Sequence, residues 1–362
     1  MEVIGEAEGG RGGESAKRRR KEATSSSRID DDSATPEQIS ENEDDNSTDL
    51  DEEVFLSEYM TDEEIMQEYR IGWECMSYGK FSNFEDKTTI KNMLTTYKTI
   101  PHALVSHTLQ VYSIQVEKPK LGWPLRVYGM VAARDHVDYN RNFLFNCTSD
   151  DCQIITADEP YLTLTGPSRA ILSLEPVDFE VDLKFKRESE DGKALINQVL
   201  RYRRSPGPFG TILDNNLCTI RFHCKQFAET VEATILSVQI IHGSWPSQFA
   251  GNVFSKGASS LEEFVLLDFP DGDNPPVDRD GNIHLSRRVV SVDVNQNFQV
   301  SVQAYSACGG DLKVPIATGD AVFEPKKDGG VTEKECDIGA SCRVKIKVAW
   351  SLLIWSKLVL QG

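Results

Sequence analysis

The sequence has no long apolar run. No window reaches the roughly 18 uncharged apolar residues of a membrane-spanning helix, so we expect no membrane partner. The first residues also lack the apolar stretch of a secretory signal, and we therefore expect a chain that is not exported. Hydrophobic residues make up only 39% of the 362 residues, which predicts that part of the chain does not fold into a core.

The motifs of common enzyme classes are also missing. There is no G-x-S-x-G, no phosphate-binding P-loop and no G-x-G-x-x-G, and the six histidines form no recognised spacing with Ser, Cys or Asp. The eight cysteines contain no C-x-x-C, which argues against a structural zinc site. We therefore predict a non-enzymatic protein with no catalytic residues, no cofactor and no metal. Disulfides are an alternative for an even cysteine count, but a chain without an export signal favours reduced thiols.

The negative charge is concentrated in the first part of the chain. Residues 1–62 have a net charge of −12 out of −18 for the whole sequence. Residues 1–53 contain few apolar side chains and no helical or strand period, so we predict a disordered tail. An acidic tract over 30–62 holds 14 Asp and Glu and no Lys or Arg, and such a tract repels nucleic acid. Nucleic acid is therefore an unlikely partner.

Five consecutive basic residues interrupt this acidic tail, and they are Lys17, Arg18, Arg19, Arg20 and Lys21. A basic run in an extended segment suits the acidic groove of a nuclear import receptor. We therefore expect an import receptor as one partner and the nucleus as the location, with the cytoplasm as a second location. The alternative is a solvated charge cluster that contacts nucleic acid nonspecifically.

A short helix is predicted where the tail ends. Thr61 and Glu64 match a capping box, and Ile65, Met66 and Tyr69 follow at helical spacing, so the helix should begin at Thr61 and close near Gly72. The residues after it are aromatic but irregular. We predict that 54–104 form this short helix and an aromatic lead-in that packs on the main domain.

The rest of the chain, 105–356, alternates between apolar and polar residues. The clearest alternations cover 177–186 and 343–350, with shorter ones at 109–116, 125–132, 161–164, 230–241 and 264–269. This pattern predicts an all-β domain, an antiparallel β-sandwich or open barrel of about 10–13 strands. The valines on both sides of 295–297 predict a hairpin. A single sandwich is favoured over two small β units.

Three clusters are candidates for chemistry. Asp135, His136, Asp138 and Arg141 follow a predicted strand and give an enzymatic alternative with a site in the loops, against which local ion pairing is the simpler explanation. Seven basic residues in 184–204 could form one phosphate-binding strip, with a solvated sheet edge as the alternative. The acidic segment 271–287 resembles a calcium loop in part, but an acidic β-turn explains it more simply.

Six blocks of the sequence follow one another in an order typical of a known family: 112–116 (YSIQV), 121–125 (LGWPL), 127–135 (VYGMVAARD), 140–142 (NRN), 162–170 (LTLTGPSRA) and 176–180 (PVDFE). In these blocks, and over about 105–353, the chain resembles the plant proteins, expanded in grasses, that carry domain of unknown function 6598. The resemblance implies an intracellular β-rich plant domain with no assigned activity.

A related domain lies behind ribosome-inactivating N-glycosidase domains in some cereal proteins, and this gives a defence or translation-related alternative. That enzyme family needs a Glu-Ala-x-Arg helix, whereas the nearest letters here, 231–235 (VEATI), lie in a predicted strand and lack the Arg. We do not expect the glycosidase activity. The sequence thus favours an interaction or regulatory module with unidentified protein partners.

Overall fold

The computed structural model describes most of the chain beyond the tail, namely residues 60–89, 105–187, 192–203, 211–246, 249–257, 260–269, 275–307 and 313–352. The basic run Lys17–Lys21 and the predicted disordered tail over 1–53 lie outside these residues. No helix in the described ranges is long and apolar enough to cross a membrane.

The predicted helix is present as α1, Asp62–Cys75. Its capping box is complete, because the Thr61 hydroxyl accepts a hydrogen bond from the Glu64 amide at 3.3 Å and the Glu64 carboxylate accepts one from the Thr61 amide at 2.8 Å. The helix continues beyond Gly72, since Trp73 on its apolar side is buried. A 3₁₀ helix over Ser77–Lys80 follows.

Sixteen strands make up nearly all of the remaining regular structure in the described residues: β1 Ser106–Glu117, β2 Leu125–Arg134, β3 Asn142–Cys147, β4 Gln153–Ile155, β5 Ile171–Leu172, β6 Val177–Phe185, β7 Lys193–Tyr202, β8 Thr211–Asp214, β9 Thr219–Gly243, β10 Ala250–Gly257, β11 Phe264–Phe269, β12 Val289–Asp293, β13 Phe298–Ala307, β14 Lys313–Phe323, β15 Gly330–Ile338 and β16 Cys342–Ser351. All pairings between these strands are antiparallel, which confirms the all-β prediction. The predicted number is lower, because β4, β5 and β8 are too short to show a period.

The strands form three sheets that do not close into a barrel. One sheet has the order β15-β16-β9-β1-β5, with β8 and β12 also paired to β9. A second has the order β3-β2-β6-β7, with β4 paired to β2, and a third has the order β11-β10-β13-β14.

Strand β9, 25 residues long, belongs to both hydrophobic cores of the protein. Ile220 and Phe222 in its first part are buried in a core built mainly from β1–β8. Val231 and Ile235 in its second part are buried in a core built mainly from β10–β16. The architecture therefore has features of both a single sandwich and two small β units, the two alternatives from the sequence, because two sandwich cores share one continuous strand.

The predicted hairpin around 295–297 is wrong. Strand β12 pairs with β9, whereas β13 pairs with β10 and β14 of the facing sheet. Valines that alternate in both strands point into one core from opposite sheets, and a hydrophobic period cannot distinguish this crossing from a hairpin.

The predicted strand at 161–164 is also wrong, although Leu162 and Leu164 are buried as strand residues would be. The side chain of Gln153 takes the place of a strand partner: it donates to the Tyr161 carbonyl at 2.8 Å and accepts from the Thr163 amide at 2.9 Å. Only a single bridge, from Tyr161 to Gln115, joins this segment to a strand.

Candidate functional site

The residues of the enzymatic alternative lie in buried or partly buried ion pairs beside β2. Both oxygens of Asp135 accept hydrogen bonds from Arg169, at 2.6 and 2.7 Å, and both side chains are almost completely buried. Asp138 accepts a hydrogen bond from Thr88 at 2.6 Å, and Arg141 donates to Glu180 at 2.5 Å. His136 lies half-buried on the same loop. Each of the three charged residues thus has a structural partner.

These charges attach the segment around α1 to the outer face of the β2–β6 sheet. Arg134 donates to the Phe84 carbonyl at 2.6 Å and to Glu180 at 2.7 Å, and its guanidinium lies 4.1 Å from the centre of the Phe84 ring. The indole of Trp73 donates to the Tyr139 carbonyl at 3.0 Å. The cluster therefore serves packing and stabilises the folded chain.

The electrostatics of this cluster fit a structural role. Burial by itself lowers the pKa of Arg169, but the Asp135 and Asp138 carboxylates raise it above its ordinary value. The guanidinium therefore stays charged, and its two carboxylate neighbours compensate it inside the protein.

The basic strip predicted over 184–204 is split between two ends of one strand pair. Strands β6 and β7 do pair, but Lys193 lies opposite Phe185 whereas Arg201 lies opposite Asp178 at the far end. Arg201 forms an ion pair with Asp178 at 2.8 Å, and Lys186 donates to the Ser149 carbonyl at 3.1 Å. These cations do not form one phosphate-binding surface. Arg204 lies outside the described residues.

The remaining candidates for a metal do not come together. His223 is exposed while Cys224 is buried, as expected for neighbours on opposite faces of a strand. Asp278 accepts hydrogen bonds from the amides of Asp280 and Asn282, so it closes an acidic turn. In the ranges that the structure describes, no three His, Cys, Asp or Glu side chains form a metal-binding group.

A cleft of about 320 Å³ opens where the two sandwich cores meet. One wall comes from β1 and β9, the other from the end of β10, most of β12 and the first residues of β11 and β13. Its lining residues are Gln110, Tyr112, Lys225, Gln226, Phe227, Ala228, Ser255, Lys256, Gly257, Ser260, Glu262, Phe264, Val290, Ser291, Val292, Asp293, Gln296, Asn297 and Phe298. The volume lies at the lower end of the range for ligand pockets.

Two buried polar side chains in the cleft wall have hydrogen-bonding groups without partners. Ser255 is 0% exposed, and its hydroxyl has no hydrogen-bond partner. Gln110 is 3% exposed; its carbonyl oxygen accepts from the Ser291 amide at 2.9 Å, but its amide nitrogen donates to no described residue. The buried and unpaired Ser255 hydroxyl is destabilising by about 1–3 kcal/mol in the free protein.

Aromatic rings form the apolar part of the wall. The rings of Tyr112 and Phe264 meet edge to face at 6.0 Å between centroids, and Phe298 also lines the cleft. Burial raises the pKa of Tyr112 well above its ordinary value, so its phenol stays protonated. The wall thus offers flat apolar surfaces and one hydroxyl group.

Charged groups at the cleft are only partly compensated. Lys225 forms an ion pair with Glu262 at 2.9 Å, and the Asp293 carboxylate accepts hydrogen bonds from the Asn295 amide and the Gln296 side chain. Lys256 lies 5.8 Å from the centre of the Phe254 ring and forms no ion pair with any described carboxylate.

Arg287 is a second uncompensated cation, directly behind Phe264. Its guanidinium lies 3.9 Å from the centre of that ring and donates to the carbonyls of Gly166, Val111 and Tyr112, with no carboxylate partner among the described residues. Burial lowers the pKa of Arg287 to about 9, so it is still charged at neutral pH.

Sequence reasoning missed this site. Gln110, Ser255 and Arg287 are far apart in the chain, and each stands in a strand or loop pattern that gives no sign of a shared cleft. Arg287 ends the segment 271–287, whose partial resemblance to a calcium loop gives no sign of the cleft.

Comparisons with known proteins identify a domain and little more. The profile described as "Domain of unknown function (DUF6598)" matches residues 108–348. No curated protein matches the chain. Solved structures that match include "Structure of a C2 domain", at 12% identity and a TM-score of 0.23, over 34% of this chain and 99% of that one.

Another match is a structure of the paired C2 domains of Extended-Synaptotagmin 2, at 8% identity and a TM-score of 0.24, over 71% of this chain and 94% of that one. "Human GIVD cytosolic phospholipase A2" matches at 8% identity and a TM-score of 0.23, over 70% of this chain and 33% of that one. Scores this low support no argument about the fold or the function.

Proposed function

The chain belongs to the family of domain of unknown function 6598, and from that premise we propose that it is a non-enzymatic interaction module whose cleft binds an extended segment of a protein partner. The observation that carries this proposal is the buried Ser255 hydroxyl without a hydrogen-bond partner in the wall of the cleft, together with Gln110, whose amide nitrogen bonds to no described residue. A ligand that completes the hydrogen bonding of Ser255 removes the penalty that the free protein bears.

An extended peptide fits because β12 offers a strand edge to the cleft. Among the described strands β12 pairs only with β9, and residues Val290, Ser291, Val292 and Asp293 all line the cleft. The Ser291 amide points away from β9 and donates to the Gln110 side chain. That side chain occupies the position of a neighbouring strand, and a partner segment that adds to the edge can replace it.

The carboxylates of the cleft favour binding over catalysis. Glu262 is held by Lys225 at 2.9 Å and lies 3.4 Å from His223, and Asp293 is engaged in its own turn. Neither is placed as a free general base beside a nucleophile, which is what hydrolysis would require.

Selection from a library of displayed random peptides tests the cleft directly. The full chain serves as bait, and the selected peptides are then tested on the variant Ala228→Trp, which fills the cleft from an exposed position. The control is Ala157→Trp, at an exposed position outside the cleft. We expect the selected peptides to bind the wild type and A157W equally and to bind A228W at least about tenfold more weakly. Equal binding to A228W would place the interaction elsewhere and contradict the proposal.

We further propose that Lys17–Lys21 brings this module to the nucleus through an import receptor. The support is the compact basic run in the acidic N-terminal region. A reporter fused to residues 1–30 should accumulate in the nucleus, and replacing all five basic residues by Ala should abolish this. A reporter that stays in the cytoplasm with or without these substitutions would refute the proposed import signal.

A further inference from the structure

We infer that the cleft recognises a carboxylate carried next to an aromatic or aliphatic group, so that the partner segment presents an Asp, a Glu or a terminal carboxylate beside a large apolar residue. This inference rests on the proposed function and specifies its ligand. It depends on three features of the cleft, namely charge, hydrogen-bond donors and apolar surface.

The charge of the cleft favours an anion. Lys225 and Glu262 compensate each other. The Asp293 carboxylate accepts two hydrogen bonds from uncharged groups and has no cation partner among the described residues. Lys256 and Arg287 have no carboxylate partner among the described residues. Arg287 is buried directly behind the Phe264 ring, where low polarity preserves the field of its charge. Two cations without a carboxylate partner thus stand against one carboxylate without a cation, and a bound anion gains from this excess of positive charge.

The free hydrogen-bonding groups select an acceptor. The amide nitrogen of Gln110 and the ammonium of Lys256 can only donate, and the Ser255 hydroxyl can donate. A carboxylate offers two acceptor oxygens with about four lone-pair positions, which matches this set of donors. An ammonium or guanidinium ligand would meet donors and like charge instead.

The aromatic wall distinguishes a carboxylate on an apolar group from a phosphate. Tyr112, Phe264 and Phe298 supply flat apolar surface, and this surface stabilises the binding of a ring or an aliphatic chain. A phosphate group carries more charge and more acceptor oxygens, and would leave that surface unused. The apolar group and the carboxylate must therefore lie close together, because the whole cleft measures about 320 Å³.

A matched pair of small probes tests this chemistry on the full chain. Phenylacetate carries the carboxylate and the ring, and phenylacetamide has nearly the same shape without the charge. Binding of each is measured by ligand-observed saturation-transfer NMR and by titration up to about 10 mM. We expect phenylacetate to bind at least about fivefold more tightly than phenylacetamide.

Variants locate the effect. Lys256→Met should reduce phenylacetate binding to the level of phenylacetamide, whereas Lys327→Met, which removes the same charge from an exposed position outside the cleft, should not. A228W should abolish binding of phenylacetate and A157W should preserve it. Loss of binding in K327M as well would show a general charge effect and overturn the inference.

Two other outcomes also overturn it. Equal binding of the two probes, or no binding of either, would show that a carboxylate is not what the cleft selects. The proposed function would still stand in both cases if displayed peptides without acidic residues bind the wild type and lose binding in A228W. If no displayed peptide depends on the cleft, the proposed function fails independently of the two probes.

Discussion

Beneath helix α1 the Glu180 carboxylate is fully buried and both of its oxygens accept hydrogen bonds from arginines, whereas in the cleft the equally buried Ser255 hydroxyl has no partner. The first cluster contains ionised groups that are individually far more expensive to bury than a serine. Its carboxylate is nevertheless fully paired, since Arg134 and Arg141 both donate to Glu180. Pairing, more than polarity, distinguishes a buried group that stabilises the fold from one that is available to a ligand.

The largest expected effect comes from breaking the complete cluster. Glu180→Gln removes the charge but keeps the shape, and leaves Arg134 and Arg141 without a carboxylate. We expect the free energy of unfolding in urea to fall by about 3–5 kcal/mol. Asp182→Asn on the same strand is the control; its partly exposed carboxylate lies 3.4 Å from Lys184, and its loss should change the stability by less than about 1 kcal/mol. Similar values for the two variants would show that the buried cluster contributes no more than a surface pair.

Glu232 provides an intermediate case, because it is buried and hydrogen-bonded but has no cation at ion-pair distance among the described residues. It accepts from the Ala170 amide at 2.6 Å and from Thr234 at 2.9 Å, and burial raises its pKa to about 7 despite these bonds. The folded state therefore binds this proton more tightly than the unfolded state, whose pKa is near 4.5. The stability associated with Glu232 is fully present below pH 4.5 and is lost as the pH rises towards 7.

We expect the wild type to lose up to about 3 kcal/mol of unfolding free energy relative to Glu232→Gln between pH 5 and pH 8. Urea unfolding of both proteins at these two pH values gives the difference. If the two proteins show the same pH dependence, Glu232 is ionised in the folded protein throughout this range and its burial does not disfavour the charge.

The smallest effect should come from the cleft itself, and a neighbouring serine supplies the comparison. Ser255 and Ser301 are both 0% exposed and lie on the paired strands β10 and β13, but Ser301 donates to Asp320 at 2.7 Å. Ser301→Ala should reduce the unfolding free energy by about 1–3 kcal/mol, whereas Ser255→Ala removes an unpaired hydroxyl and should leave it unchanged or raise it by up to about that amount. A large loss for S255A would reveal a structural bond of the Ser255 hydroxyl and would remove it from the proposed ligand site.

The sequence predicts local elements well where a local rule decides them. The capping box at Thr61 and the alternation over Val177–Phe185 need only neighbouring residues, and both elements are present. The crossing from β12 to β13 depends on which sheet each strand joins, and apolar–polar alternation carries no information about that choice.

The cleft could not be predicted for a similar reason. Whether a buried serine is paired depends on the residue across the sheet or the cleft, and that residue comes from a distant part of the chain. The Asp320 carboxylate, for example, accepts a hydrogen bond from the Ser301 hydroxyl, whereas no described residue forms a hydrogen bond with the Ser255 hydroxyl. The basic run Lys17–Lys21 lies outside the described residues and remains a prediction.

The shared strand β9 also determines the order in which strands find their partners during synthesis on the ribosome. Strand β1 pairs with Thr219–Thr230 of β9, about a hundred residues after β1 has been made, and the second part of β9 then pairs with β16, about another hundred residues later. At about 5–20 residues per second, each strand leaves the ribosome about 5–20 s before its partner exists. A chain released before residue 342 lacks β16 and leaves an edge of the longest strand unpaired, as a template for aggregation. The residues of the first core are thus all made about a hundred residues before the last strand of the second core.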